Sequence, residues 1–153
     1  MNRYLIFLSF FLIAAITKGQ EGFVHVFVRG GLGYPSASQL ALGLDFSLKD
    51  NNAYELSANY YRSKSRNENI LLGINYKPII IRSKNLNLRF RFGGYLGSDL
   101  KTFIVSPNAG IEWIQSLSSN VDLTFANNNG YFFGIDKGQR WRTSAEIGIR
   151  LPF

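Results

Sequence analysis

Ser144-Ala-Glu-Ile-Gly-Ile-Arg-Leu-Pro-Phe153 stands at the end of the sequence, with Ile147, Ile149, Leu151 and Phe153 apolar at every second position. Traced back to Trp141, the same run sets Arg142, Ser144, Glu146, Gly148 and Arg150 against Trp141, Thr143, Ala145 and those four apolar residues. A period of two belongs to an extended strand, whose successive side chains point to opposite faces; helical spacing does not produce it.

The pattern recurs upstream. Leu40, Leu42, Leu44, Phe46 and Leu48 oppose Gln39, Ala41, Gly43, Asp45 and Ser47. Tyr54, Leu56, Ala58 and Tyr60 alternate with Glu55, Ser57, Asn59 and Tyr61, and Ile70, Leu72, Ile74 and Tyr76 with Leu71, Gly73, Asn75 and Lys77. Leu86, Leu88, Phe90, Phe92 and Leu96 oppose Asn87, Arg89, Arg91, Gly93 and Tyr95. Shorter runs follow at Ala109–Trp113 and Val121–Phe125, and Phe23–Arg29 precedes them all. The count is eight strands, and a strand crosses a bilayer in roughly 9–11 tilted residues. Lys49–Asn52, Pro78–Asn85 and Ser116–Asn120 read as short turns at one end. Gly31–Ser38, Tyr61–Glu68, Gly97–Ser106 and Asn127–Arg140, rich in Gly, Asn and Ser, read as longer loops at the other. Short turns on one side and longer loops on the other are the outer-membrane pattern.

Alternation establishes two environments without saying which is water. A soluble barrel of lipocalin type keeps its apolar face inside; a membrane barrel inverts this. Here the polar faces carry both signs of charge, Asp45, Glu55, Lys77, Arg89, Arg91, Glu112, Asp122, Arg142, Glu146 and Arg150, among Gly, Ala and Ser that leave room for long side chains. The apolar faces carry Tyr54, Tyr60, Tyr76, Trp113 and Trp141 towards strand ends, as interfacial aromatic girdles do. The expectation is an all-β protein, an eight-stranded antiparallel transmembrane β-barrel. Its lumen holds an ion-pair network of Asp45, Glu55, Arg89, Arg91, Glu112, Asp122, Arg142, Glu146 and Arg150, and its outer wall meets outer-membrane lipid.

The chain has 153 residues, 46% of them hydrophobic, enough for one organised domain. Met1-Asn2-Arg3 precedes the apolar run Tyr4–Ile16, with small residues Thr17 and Gly19 after it. Residues 1–19 therefore read as a secretory signal peptide and 20–153 as the barrel. With no cysteine there is neither a disulfide framework nor a lipidated residue after the signal. The formal charge of +7 falls to +5 once Arg3 and Lys18 are removed with the signal, 15 basic residues then facing 10 acidic ones. Such a charge suits nucleic acid or anionic headgroups without choosing between them.

Ile147, Ile149, Leu151 and the terminal Phe153 resemble the C-terminal signal by which the outer-membrane assembly machinery recognises bacterial barrels. A second resemblance covers roughly the last 50 residues. The segment Asn108–Phe125, the Phe133-Gly134-Ile135-Asp136 loop, and Arg142, Ser144, Gly148 and Arg150 are similar to the conjugative transposon protein TraO family of Bacteroidota. That resemblance implies a non-catalytic structural or interaction component of a conjugative transfer apparatus, with other conjugative transfer proteins as partners. The alternative is a general small surface barrel of OmpA or OmpX kind, serving envelope integrity or adhesion. Less favoured is a lipid-modifying enzyme.

The enzymatic reading lacks parts. His25, the sole histidine, sits at the start of the first strand, whereas a lipid deacylase of PagL kind needs a His-Ser pair at the opposite end. Glu112, Asp122 and Glu146 share their faces with Arg or Lys, which favours salt bridges over acid–base work. Gly30-Gly31-Leu32-Gly33 lacks the strand–loop–helix setting of a phosphate loop. Asp50, Asp99 and Asp136 are isolated, and calcium needs several closely spaced oxygens. Arg89 and Arg91 interleave with Phe90 and Phe92 but point the opposite way, so no stacking platform for nucleic acid forms. No catalytic residue, cofactor, metal or direct nucleic-acid contact is expected.

Overall fold

The computed structural model describes residues 23–35, 37–48, 50–63, 68–99, 101–135 and 140–153. The expected signal peptide, residues 1–19, and Asp136 lie outside them. Among the described residues nine segments are extended: β1 (Val24–Tyr34), β2 (Ala37–Ser47), β3 (Ala53–Ser63), β4 (Glu68–Lys77), β5 (Ile79–Arg82), β6 (Leu86–Ser98), β7 (Phe103–Ser118), β8 (Val121–Tyr131) and β9 (Trp141–Pro152). Each pairs antiparallel with its neighbours, in the order β4-β3-β2-β1-β9-β8-β7-β6-β5, and β4 also pairs with β6. That last pairing closes the sheet. Because β4 and β5 both lie along β6, interrupted at Pro78, the wall is an eight-stranded barrel. Proline has no N–H for a ladder and is tolerated at such an interruption.

Four expected boundaries shift. Pro78–Asn85, read as a turn, contains β5, whose Ile79-Ile80-Ile81 run is β-branched and pairs with β6 through a bulge. Gly31–Tyr34 and Asn127–Tyr131, read as loop, are strand: β1 pairs with β9 as far as Tyr34, and β8 with β9 as far as Tyr131. Their Gly- and Asn-rich composition hides the pairing because the partner strands supply the ladder bonds, not the side chains. Phe103–Ser106 likewise joins β7. At the end opposite Phe23 and Phe153 the strands thus run further than the sequence suggests.

The faces sort as an inverted barrel. Ile70, Leu72 and Ile74 of β4 point outward, about 60% exposed, while Leu71, Gly73, Asn75 and Lys77 point inward. Tyr54 and Tyr76 pack tilted, ring centroids 5.2 Å apart, near the terminal end, and Tyr131 contacts Trp141 and Phe133 near the other. No helix among the described residues is long and apolar enough to cross a membrane; the crossing is made by strands. A closed antiparallel barrel leaves no unpaired sheet edge to lipid, and with its apolar side outward it has the build of a bacterial outer-membrane barrel.

Candidate functional site

With eight strands, a barrel interior is just wide enough for side chains to fill. Here the filling is ionic at mid-height. Arg29, on β1, donates from Nη2 to Glu55 at 2.7 Å and from Nη1 to Glu112 at 2.6 Å, and its Nε lies 3.3 Å from Glu146. Glu55 also takes Arg91 at 2.8 Å and Lys77 at 3.2 Å. Lys77 Nζ bridges onward to Glu112 at 2.8 Å and Asp45 at 2.9 Å. Towards the terminal end Arg150 joins Asp45 at 2.9 Å to Asp122 at 2.7 Å, with Arg89 3.4 Å from Asp45. Five cations, Arg29, Lys77, Arg89, Arg91 and Arg150, thus meet five carboxylates, Asp45, Glu55, Glu112, Asp122 and Glu146. The set is neutral, and all but the partly buried Asp122 are buried.

Two members were not in the expected network. Arg29 precedes the Gly-rich second half of β1, and Phe27, two residues before it, also faces inward and lies 4.0 Å beneath its guanidinium. An aromatic on the polar face masks the parity, so only the pairing of β1 with β2 and β9 reveals it. Lys77 was legible as polar-faced; its central position was not. Arg142 departs the other way. Its guanidinium lies 4.6 Å over the Phe132 ring and 5.8 Å from Tyr61, towards the loop end and away from the five-by-five cluster.

Above the ions an amide relay fills the lumen. Asn75 donates to Glu55 at 3.0 Å, Asn108 donates to Asn75 at 2.8 Å and to Asn128 at 3.0 Å, and Asn128 donates to the Tyr95 hydroxyl at 2.8 Å. Tyr95 then belongs to an apolar cap with Tyr61, Leu71, Ile104 and Phe132, all buried. Phe132 follows β8 directly and turns into the lumen, while Phe133 bridges back to Val105 of β7. Gly134, at φ +89°, completes this turn in a conformation that side chains resist. Gly73 makes room on β4, since a Cβ there would fall on the Tyr95 ring.

The cap leaves a cavity of about 10 Å³ beside Tyr61, Phe132 and Arg142, space for no more than one water. The terminal mouth is wider, a polar vestibule of about 460 Å³ lined by His25, Ser116, Asn120, Asp122 and Arg150 among others. His25 is therefore a rim residue of the vestibule. Ile147, Ile149, Leu151 and Phe153 lie on the outer face of β9 and just beyond it, all exposed. Phe90 and Phe92 pack together at 5.5 Å outside, while Arg89 and Arg91 are buried in ion pairs inside. Among the described residues, no cluster of three His, Cys, Asp or Glu could hold a metal.

No protein-family model and no curated protein matches the chain. Solved structures do. A major outer membrane protein from Thermus thermophilus is similar over 88% of this chain and all of its own, with a TM-score of 0.70 and 11% identity. The N-terminal β-barrel domain of Pseudomonas aeruginosa OprF covers 87% of this chain and all of its own, with a TM-score of 0.65 and 14% identity. Neisserial surface protein A covers 86% of this chain and 97% of its own, with a TM-score of 0.56 and 12% identity. At these identities the likeness is one of fold.

Proposed function

We propose that this protein is a closed, non-catalytic surface barrel of the outer membrane that serves envelope integrity or adhesion through its exposed end. One observation carries the reading: the lumen is filled twice over, by a neutral ionic layer and by an apolar cap. A solute would have to strip charges from their partners and then displace Phe132 and Tyr95. Breaking a buried pair on one side alone costs about 3–5 kcal/mol. A barrel so filled acts by its outside. The fold shared with a barrel named a surface protein supports the same reading.

The test is complementation of a deletion strain, scored for permeability to large hydrophobic antibiotics and for surface attachment. The intact protein is expected to restore the lost phenotype, and a variant with 134–139 replaced by a short Gly-Asn turn, leaving the buried Phe132 in place, to insert normally without restoring it. Full rescue by that variant would overturn the assignment of function to this segment. A second reading, a component of a conjugative transfer apparatus, rests on the resemblance of 108–150 to the TraO family. Its mark is a fall in transfer frequency, with permeability and attachment unchanged, on deletion of the gene from a conjugative element.

A further inference from the structure

Among the described residues, the outer wall is apolar between its ends except in one place. Between the two aromatic ends of the barrel, β8 turns Asn127 and Asn129 outward, and β9 sets Thr143 beside them. The three side chains form a ladder. Thr143 donates its hydroxyl to Asn129 at 2.7 Å, Asn129 donates to Asn127 at 2.7 Å, and Asn127 donates to the Ser144 carbonyl at 3.1 Å. Three of the flanking outward positions are small, Pro107 and Ala109 on β7 and Ala145 on β9, all exposed, while Ile111 on β7 stands beside Asn127.

Depth makes this placement costly. Asn127 lies four residues inside Tyr131 along β8. At about 3.4 Å per residue and a tilt near 45°, that is roughly 10 Å below the aromatic ring level, within hydrocarbon. Hydrocarbon tails offer neither donors nor acceptors, and each carboxamide has more of both than the ladder uses. Elsewhere, the outward polar groups Ser38, Arg62, Glu68 and Gln115 stand at strand ends.

We propose that the Asn127–Asn129–Thr143 face of β7–β9 is the contact surface of a homodimer in the membrane, with a second copy of this chain as occupant. Carboxamides are their own complement. A two-fold axis along the membrane normal sets the patch against itself, so donors meet acceptors without any charge to match. Small residues on either side let two walls approach closely, and polar side chains then hydrogen-bond between them, the composition of protein contacts within membranes. The proposal needs only a membrane-spanning barrel and is independent of the surface function proposed above.

The chain's lack of cysteine makes the test clean. Single cysteines replace Ala109, Asn127 or Ala145 in the patch, and Ala58 as control, on β3, four strands from β8 in either direction. Each variant is refolded into phosphatidylcholine vesicles and oxidised. A disulfide-linked dimer is expected from the patch and none from Ala58→Cys. In parallel, energy transfer between labelled copies measures dimer fraction; the Asn127→Leu/Asn129→Leu variant should insert normally and dimerise about tenfold less, equivalent to about 1.4 kcal/mol. Equal cross-linking from both walls, no cross-linking from the patch, or unchanged dimer in the Leu variant would each overturn the proposal. A wild-type barrel monomeric at high protein-to-lipid ratio would do the same and assign the ladder to lipid.

Discussion

Glu55 is the residue on which the lumen turns, because three cations, Arg29, Arg91 and Lys77, reach its two oxygens and Asn75 donates to it as well. Removing its charge leaves more buried positive charge than the remaining carboxylates can compensate. Glu55→Gln is therefore expected to lower stability by about 3–5 kcal/mol, read from urea unfolding in vesicles. Arg62 and Glu68 form an exposed pair at 3.7 Å, and Arg62→Gln should cost no more than about 1 kcal/mol. Similar losses from both would show that the lumen is wet and screened. Glu55 could be assigned to the lumen from its alternation with Tyr54 and Leu56, but its partners could not. Which cation meets which carboxylate depends on register across eight strands, and local periodicity carries no such information.

At the scale of the element, β4 and β5 divide at Pro78 into a lipid-embedded part and a rim. Ile74 is exposed outward between the aromatic ends; Ile81 is exposed beyond Tyr76. A charge at mid-depth costs about 2–4 kcal/mol and near the interface about 0–1. Ile74→Arg should thus fold poorly in vesicles while Ile81→Arg folds almost as the parent, and equal yields would refute the inverted facing. If Ile147, Ile149, Leu151 and Phe153 are an assembly signal, deleting Phe153 should reduce the heat-modifiable form in cells yet leave refolding of the purified protein unchanged. A loss in both settings would make Phe153 a structural residue instead. Strong alternation made β2, β3, β4 and β9 readable from sequence. The apolar cap was not readable: Leu71 and Tyr95 sat on faces otherwise polar, while Ile104 and Phe132 fell in stretches taken for loop. They come together only because the closed sheet brings β3, β4, β6, β7 and the chain after β8 around one lumen.

For the whole molecule, the two seals lie in series along one axis, and their order sets what each variant can reveal. From the terminal end, the 460 Å³ vestibule admits water and ions as far as Arg150 and Asp122. There the ionic layer begins, followed by the amides and then by Phe132, Tyr95 and Tyr61. Planar bilayers holding the purified barrel should show no stable conductance above leak. Phe132→Ala, which opens only the cap, should stay equally silent because the ion pairs beneath it are untouched. Coupling Phe132→Ala with Glu55→Ala and Arg91→Ala removes a facing charge pair together with one ring of the cap, and this triple variant should show discrete steps where it inserts. Large, reproducible steps from the unmodified monomer would mean that the lumen rearranges under voltage, and the closed-barrel reading of function would fall with them. Steps from Phe132→Ala alone would locate the whole barrier in the cap and leave the ionic layer as a hydrated lining.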